Sequence, residues 1–170
     1  MKQSNTAKGF TLIELTVVVF LIGVMLAVSI PRFRYSIITD NLKSSTRRII
    51  GLLTSLRNEA IRDPKNYLLH FDIESNQLWV DFAGITKEER EMAQERALQL
   101  PEDVRIIDVW KKGKGKSFDG EVNIRFSKKG YAEQTIIHLG SEDGREFTLL
   151  LHPFLAKIQS YDKYVDIGIL

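Results

Sequence analysis

No cysteine occurs in the 170-residue chain, which excludes a disulfide framework and any cysteine-based zinc or redox centre. Histidine is nearly as scarce. His70, His138 and His152 are scattered and lack metal-ligand spacing. They read as structural or solvated side chains, and the sequence implies no metal and no cofactor. An excess of one charge is missing too: 24 Lys and Arg face 22 Asp and Glu, a formal net charge of +2. That is too small to make nucleic acid the default partner. There is no G-x-S-x-G elbow. Gly115-Lys116-Ser117 has the end of a phosphate-binding loop, but Trp110 stands where that loop requires its first glycine. Glu142-Asp143-Gly144 is better explained by a hairpin turn than by a calcium site. No internal repeat or long low-complexity linker divides the chain, so its length suits one compact domain with an appendage.

What the chain does have is a long apolar run. Positions 10–30 read FTLIELTVVVFLIGVMLAVSI, with Glu14 the single charge. About 20 apolar residues span a bilayer as a helix, and a run this long and apolar on all sides predicts a membrane segment rather than a core helix. An ordinary secretory signal would place a small-residue cleavage site after the run. Here Ile30-Pro31 follows, and the helical pattern continues. The informative junction lies in front instead, at Lys8-Gly9-Phe10-Thr11-Leu12-Ile13-Glu14. A carboxylate near a bilayer centre costs roughly 2.5–3.5 kcal/mol on insertion scales, so an intramembrane charge calls for a partner. A cut between Gly9 and Phe10 would create an α-ammonium close to Glu14, and the two attract strongly at low dielectric. The pair closes within one chain or between neighbours.

A basic leader, Gly9, Phe10, an apolar stretch and Glu14 resemble the prepilin processing motif of type IV pilins and type II secretion pseudopilins. The resemblance implies cleavage after Gly9 by a prepilin peptidase, N-methylation of Phe10, and Glu14 as the assembly glutamate. It also implies an N-inside orientation, which charge counting leaves open because Lys2 and Lys8 are balanced by Arg32 and Arg34. Removing Lys2 and Lys8 with the leader leaves 22 basic residues against 22 acidic ones. Pro31 matches the proline commonly found where the family's helix leaves the membrane. Gly23 and Pro31 are both candidate bend points, since proline removes a backbone donor and glycine weakens a helix.

Beyond Pro31 the helix is predicted to continue to Arg62, with Ile38, Leu42, Ile49, Leu53, Leu56 and Ala60 forming one apolar stripe. Counted from Phe10 such a helix is ~80 Å long at 1.5 Å per residue. Asp63-Pro64 ends it. The period then changes to two. Tyr67, Leu69, Phe71 and Ile73 alternate with Leu68, His70, Asp72 and Glu74, and 78–82 completes a hairpin. His70 falls on the polar side of that alternation. Residues 86–98 read as helix, with Thr86 and Glu89 as a capping box. Strands are expected at 104–110, 122–126, 131–139, 146–152 and 164–169. The fold class is therefore α+β, a pilin-like long N-terminal helix, its first half transmembrane, packed on a mostly antiparallel sheet. The expected divisions are leader 1–9, assembly segment 10–30, amphipathic helix 31–63 and β-rich periplasmic domain 64–170.

Leu56-Arg-Asn-Glu-Ala-Ile-Arg62, the hairpin containing Leu78-Trp79-Val80, and Arg125-Phe126-Ser-Lys-Lys-Gly130 are similar to the H-type minor pseudopilins and related minor pilins. The helical stretch at 86–98 departs from that group. The resemblance implies a non-enzymatic subunit of a periplasmic pseudopilus, anchored first in inner-membrane lipid. Its partners would be the prepilin peptidase, other major and minor pseudopilins, and the inner-membrane assembly platform. The alternative is a minor pilin serving adhesion, motility or DNA uptake. The feature on which that alternative rests is the basic run containing Lys111, Lys112, Lys114 and Lys116, between Trp110 and Phe118. Such a run either grips phosphates or forms a solvated hairpin loop.

Overall fold

The computed structural model describes residues 11–154 and 157–166, leaving aside the side chains of 26–40. Gly9 and Phe10 lie outside the described residues, as do 167–170 and the side chain of Pro31. The chain falls into two units, Met1–Ile37 and Ile38–Leu170.

Helix α1 spans Leu12–Arg62 and is unbroken through Gly23 and Pro31. In the second unit its Leu42, Ile49, Leu53, Leu56 and Ala60 are buried. Their three-, four- and seven-residue spacing is that of one helix face. Asp63 N–H still donates to Glu59 O at 2.8 Å, but Pro64 cannot follow in helix without a clash, and the chain turns there.

The strands form two antiparallel sheets. The first contains β1 (Tyr67–Asp72), β2 (Gln77–Phe82), β3 (Leu98–Gln99) and β6 (Glu121–Phe126), in the order β3-β2-β1-β6. The second contains β4 (Val104–Lys111), β5 (Gly115–Ser117), β7 (Thr135–Ser141), β8 (Glu146–Leu151) and β9 (Gln159–Tyr161), in the order β5-β4-β7-β8-β9. Asn76 links the sheets. It sits at φ 57°, in the left-handed region that asparagine tolerates. Its side chain accepts from Ile106 N–H at 3.0 Å and donates to Val104 O at 2.5 Å. The five buried α1 residues, Leu69, Phe71 and Leu78 of the first sheet, and Val104, Val109, Ile137 and Leu149 of the second share a single apolar core. Each of these side chains other than that of Ala60 contributes roughly 1.5–3 kcal/mol through burial.

Helix α2 is Lys87–Glu95. Thr86 Oγ1 accepts from Glu89 N–H at 3.2 Å, and Glu89 accepts from Thr86 N–H at 2.9 Å, which completes the expected capping box. The helix is shorter than its predicted 86–98 because Leu98 leaves it to pair with Leu78 as β3. None of its residues is buried.

Other boundaries differ as well. The expected strand at 131–139 begins only at Thr135. Before it, Ser127 N–H donates to Tyr131 O and Gly130 N–H to Ser127 O, a local turn that withholds those groups from the sheet. Residues 164–166 are not strand, and the rest of the predicted 164–169 lies outside the described residues. The second sheet's edge is instead β9, which pairs with β8 through Thr148–Tyr161, Leu149–Ser160 and Leu150–Gln159.

Candidate functional site

The start of α1 is built by a local cap. Glu14 N–H donates to Thr11 Oγ1 at 3.3 Å, and Leu15 N–H donates to Thr11 O at 3.2 Å. Thr11 thus satisfies one of the free donors at the helix start, and Glu14 occupies the third helical position. The positive end of the helix dipole favours a carboxylate there. The Thr11-x-x-Glu14 spacing is a capping pattern readable in the sequence, although the charge of Glu14 draws attention first.

Behind this cap the described side chains are bare and, apart from Thr16, whose hydroxyl donates to Leu12 O at 2.9 Å, apolar. Leu12 is 85% exposed, Phe20 69% and Met25 72%, and every residue of 11–25 is exposed. The exposed large apolar residues include the consecutive positions Val17 to Ile22, which at 100° per residue cover all sides of the helix. Residues 26–30 of the apolar run lie outside the described side chains, and among the described residues no helix is long and apolar enough to cross a membrane.

The four lysines of the basic run do not act as a group. Lys111 is buried, with Nζ 2.5 Å from Asn123 O and 2.6 Å from Glu133 Oε2. Lys116 Nζ donates to the Tyr164 hydroxyl at 3.1 Å and lies 3.0 Å from Asp166 Oδ1. The hydroxyl first and the carboxylate second hold its ammonium above the usual lysine range. Only Lys112 and Lys114 stand exposed, on a turn with Gly113 and Gly115 at positive φ.

Residues 4–30 match the family described as Prokaryotic N-terminal methylation motif. Type II secretion system protein H of Pseudomonas aeruginosa is 31% identical over 74 residues, which are 44% of this chain and 43% of that protein. The match therefore spans less than half the length of the curated relative. The crystal structure of the minor pseudopilin EPSH from the type II secretion system of Vibrio cholerae has a TM-score of 0.55 to this chain. It is 12% identical, with 75% of this chain and 97% of that one covered. A second structure of the Vibrio cholerae protein gives 0.51, again at 12% identity, over 72% and 98%. The chain carries an N-terminal methylation motif and has a pseudopilin-like fold.

In this pseudopilin-like chain two of the three histidines are core residues. His70 is buried, against the expectation from strand alternation. It stacks on Trp79 at 5.1 Å, with Nδ1 2.5 Å from Glu121 Oε1. Its Nε2 is at ion-pair distance, 3.1 Å, from buried Asp81, which Arg90 of α2 approaches from outside, also at 3.1 Å. His138 is wholly buried beside Asp108 and stacks on Tyr164 at 3.8 Å. His152 is half-buried, with Nε2 3.3 Å from Gln159 Oε1. Among the described residues no group of His, Asp or Glu is arranged to hold a metal ion. The pseudopilin-like core uses its histidines to tie strands and the 163–166 segment together. Their scatter in sequence conceals this, because strand pairing alone brings His138 to Asp108.

Proposed function

We propose that this chain is a minor pseudopilin of a type II secretion system, a structural subunit of the periplasmic fibre that helps export folded proteins, and not an enzyme. The observation that carries the reading is the capped, apolar helix start with Glu14 as its single charge. Bare apolar surface on every side has no stable place in water. Inner-membrane lipid covers it before assembly, and the helices of other subunits cover it afterwards. In this reading the prepilin peptidase removes residues 1–9 and Phe10 is methylated. Segment 10–30 is then the membrane and assembly part, with Gly23 and Pro31 as its yielding points, and the C-terminal domain is periplasmic. Glu14 compensates the α-ammonium of Phe10, its own or a neighbour's, and so sets axial register in the fibre. The likeness to protein H and to the Vibrio cholerae minor pseudopilin supports secretion as the system served.

Glu14→Ala is expected to leave membrane insertion intact and to lower incorporation into fibres by tenfold or more, which corresponds to about 1.4 kcal/mol or above. Normal incorporation, measured by quantifying the subunit in sheared fibres, would refute the assembly role. Deleting the gene separates the two systems. Loss of exported proteins with surface pili and DNA uptake intact supports secretion, and the opposite pattern makes the chain a minor pilin.

A further inference from the structure

The segment that carries α2 closes its hydrogen bonds within itself. Arg90 N–H donates to Thr86 O at 3.1 Å, Arg96 N–H to Met92 O at 3.3 Å and Ala97 N–H to Gln94 O at 3.0 Å. The Thr86–Glu89 capping box is internal too. Among the described residues no hydrogen bond joins 86–97 to the rest of the domain. The tie that does is the ion pair of Arg90 Nε with Asp81 Oδ2 of β2, at 3.1 Å. The Asp81 side chain has no exposed surface, and neither of its oxygens has a hydrogen bond among the described residues, so this tie is held by charge.

The packing of the segment is as sparse as its bonding. Within 86–97 the half-buried residues are Ala93 and Ala97, and the others are exposed. Open hollows of about 570 and 360 Å³ flank the helix, and Val80, Ala93 and Arg96 line both. The two ends, in contrast, are fixed. Ala83 N–H donates to Asn66 O at 2.8 Å. On the far side Leu98 pairs with Leu78, and buried Leu100 donates its N–H to Asn76 O at 3.2 Å. Next to the first anchor stands Gly84, at φ 95° with open space where a side chain would be.

We propose that residues 86–97 form a flap beside β2 that opens and closes as one unit about Gly84, with both sheets folded throughout and the Arg90–Asp81 pair as its latch. A segment with few buried apolar contacts and few bonds to its surroundings opens far more readily than the domain unfolds. Lifting this one breaks no backbone hydrogen bond to either sheet. It does not leave Asp81 without a charged neighbour either, because His70 Nε2 lies 3.1 Å from Oδ1. A nine-residue helix is marginal in water without tertiary packing, so the open flap loses its helix as well. Opening bares Val80 and the Asp81 carboxylate, and a surface hidden in the closed domain becomes available.

Amide hydrogen exchange of the full-length chain in detergent micelles, resolved by residue, tests this. Amides from Arg90 to Glu95 should share one opening constant, roughly a hundredfold or more above that of β1 and β7. Arg90→Ala should raise it roughly tenfold, between the effects of losing an exposed and a buried pair, and leave β7 unchanged. Asp81→Asn should act in the same direction. It removes the latch without stranding a buried charge, so it decides the matter if Arg90→Ala unfolds the domain and β7 exchanges as well. Rates graded inward from the helix ends would show fraying and overturn the flap. So would α2 amides that exchange only together with β7, or an opening constant indifferent to Asp81→Asn.

Discussion

His138 has no exposed surface and both ring nitrogens engaged, Nδ1 at 2.8 Å from Asp108 Oδ1 and Nε2 at 3.1 Å from Val165 O. Removing the ring leaves buried Asp108 with the Tyr164 hydroxyl, at 2.8 Å, as its remaining side-chain donor. A buried carboxylate stripped of a partner is costly, so His138→Ala is expected to destabilise the globular unit by about 3 kcal/mol. A lowered urea midpoint with unchanged slope would show it. Asp143 makes a different kind of contribution. Hydrogen bonds from Arg145 first and Ser141 second hold its carboxyl down to about 2, below its ordinary 3.8. A carboxyl with a depressed folded value stabilises the fold above its unfolded value, and that contribution is lost as the pH falls through the folded one. Asp143→Asn should therefore lose less stability between about pH 4 and pH 2 than the parent. Acid titration of unfolding free energy decides it, and parallel curves would reject the assignment. The burial of His70 and His138 was not legible in the sequence, because alternation alone assigns His70 to a polar face, whereas here Trp79 and Asp81 close over it.

Among the elements, α1 was the most legible. Its stripe at Leu42, Ile49, Leu53, Leu56 and Ala60 is a periodic signal, and Pro64 is a chemical stop. The α2 start was legible for the same reason, since a capping box is a local pattern. The strand ends were obscure because pairing, a non-local event, decides them: Leu98 is captured by Leu78, and Thr135 by Lys111. The lysine run was obscure on similar grounds. Four cations in a short stretch read as one patch, yet the register of β4 with β5 gives Lys111 and Lys116 separate internal partners. The meeting of α1 with the loop after β6 offers a direct check on packing. Gly130 has φ 76°, and a Cβ built there would lie 2.7 Å from Ile61 Cδ1. Gly130→Ala combines positive φ with that overlap and should cost about 1–3 kcal/mol. Gly130→Ala with Ile61→Ala should recover the steric share, which differential calorimetry can measure.

At the scale of the molecule, the α+β class, the antiparallel pairing and the helix-first order followed from a change of hydrophobic period from 3.6 to 2. The division of the strands into two sheets did not, because nothing local distinguishes an edge strand from a strand that switches sheets. The core lies within Ile38–Leu170. A protein beginning at residue 38 is therefore expected to unfold cooperatively, with calorimetric and van't Hoff enthalpies equal. A broad, non-cooperative transition would show that the preceding segment is needed for the fold. The same organisation bears on how such a protein changes over generations. The core constrains nearly every residue it contains, but α2 contributes no buried side chain to it. Its residues other than Arg90, which pairs with buried Asp81, can be rewritten while the core stays as it is. A lineage can thus vary this surface by trial, with the inherited framework left intact.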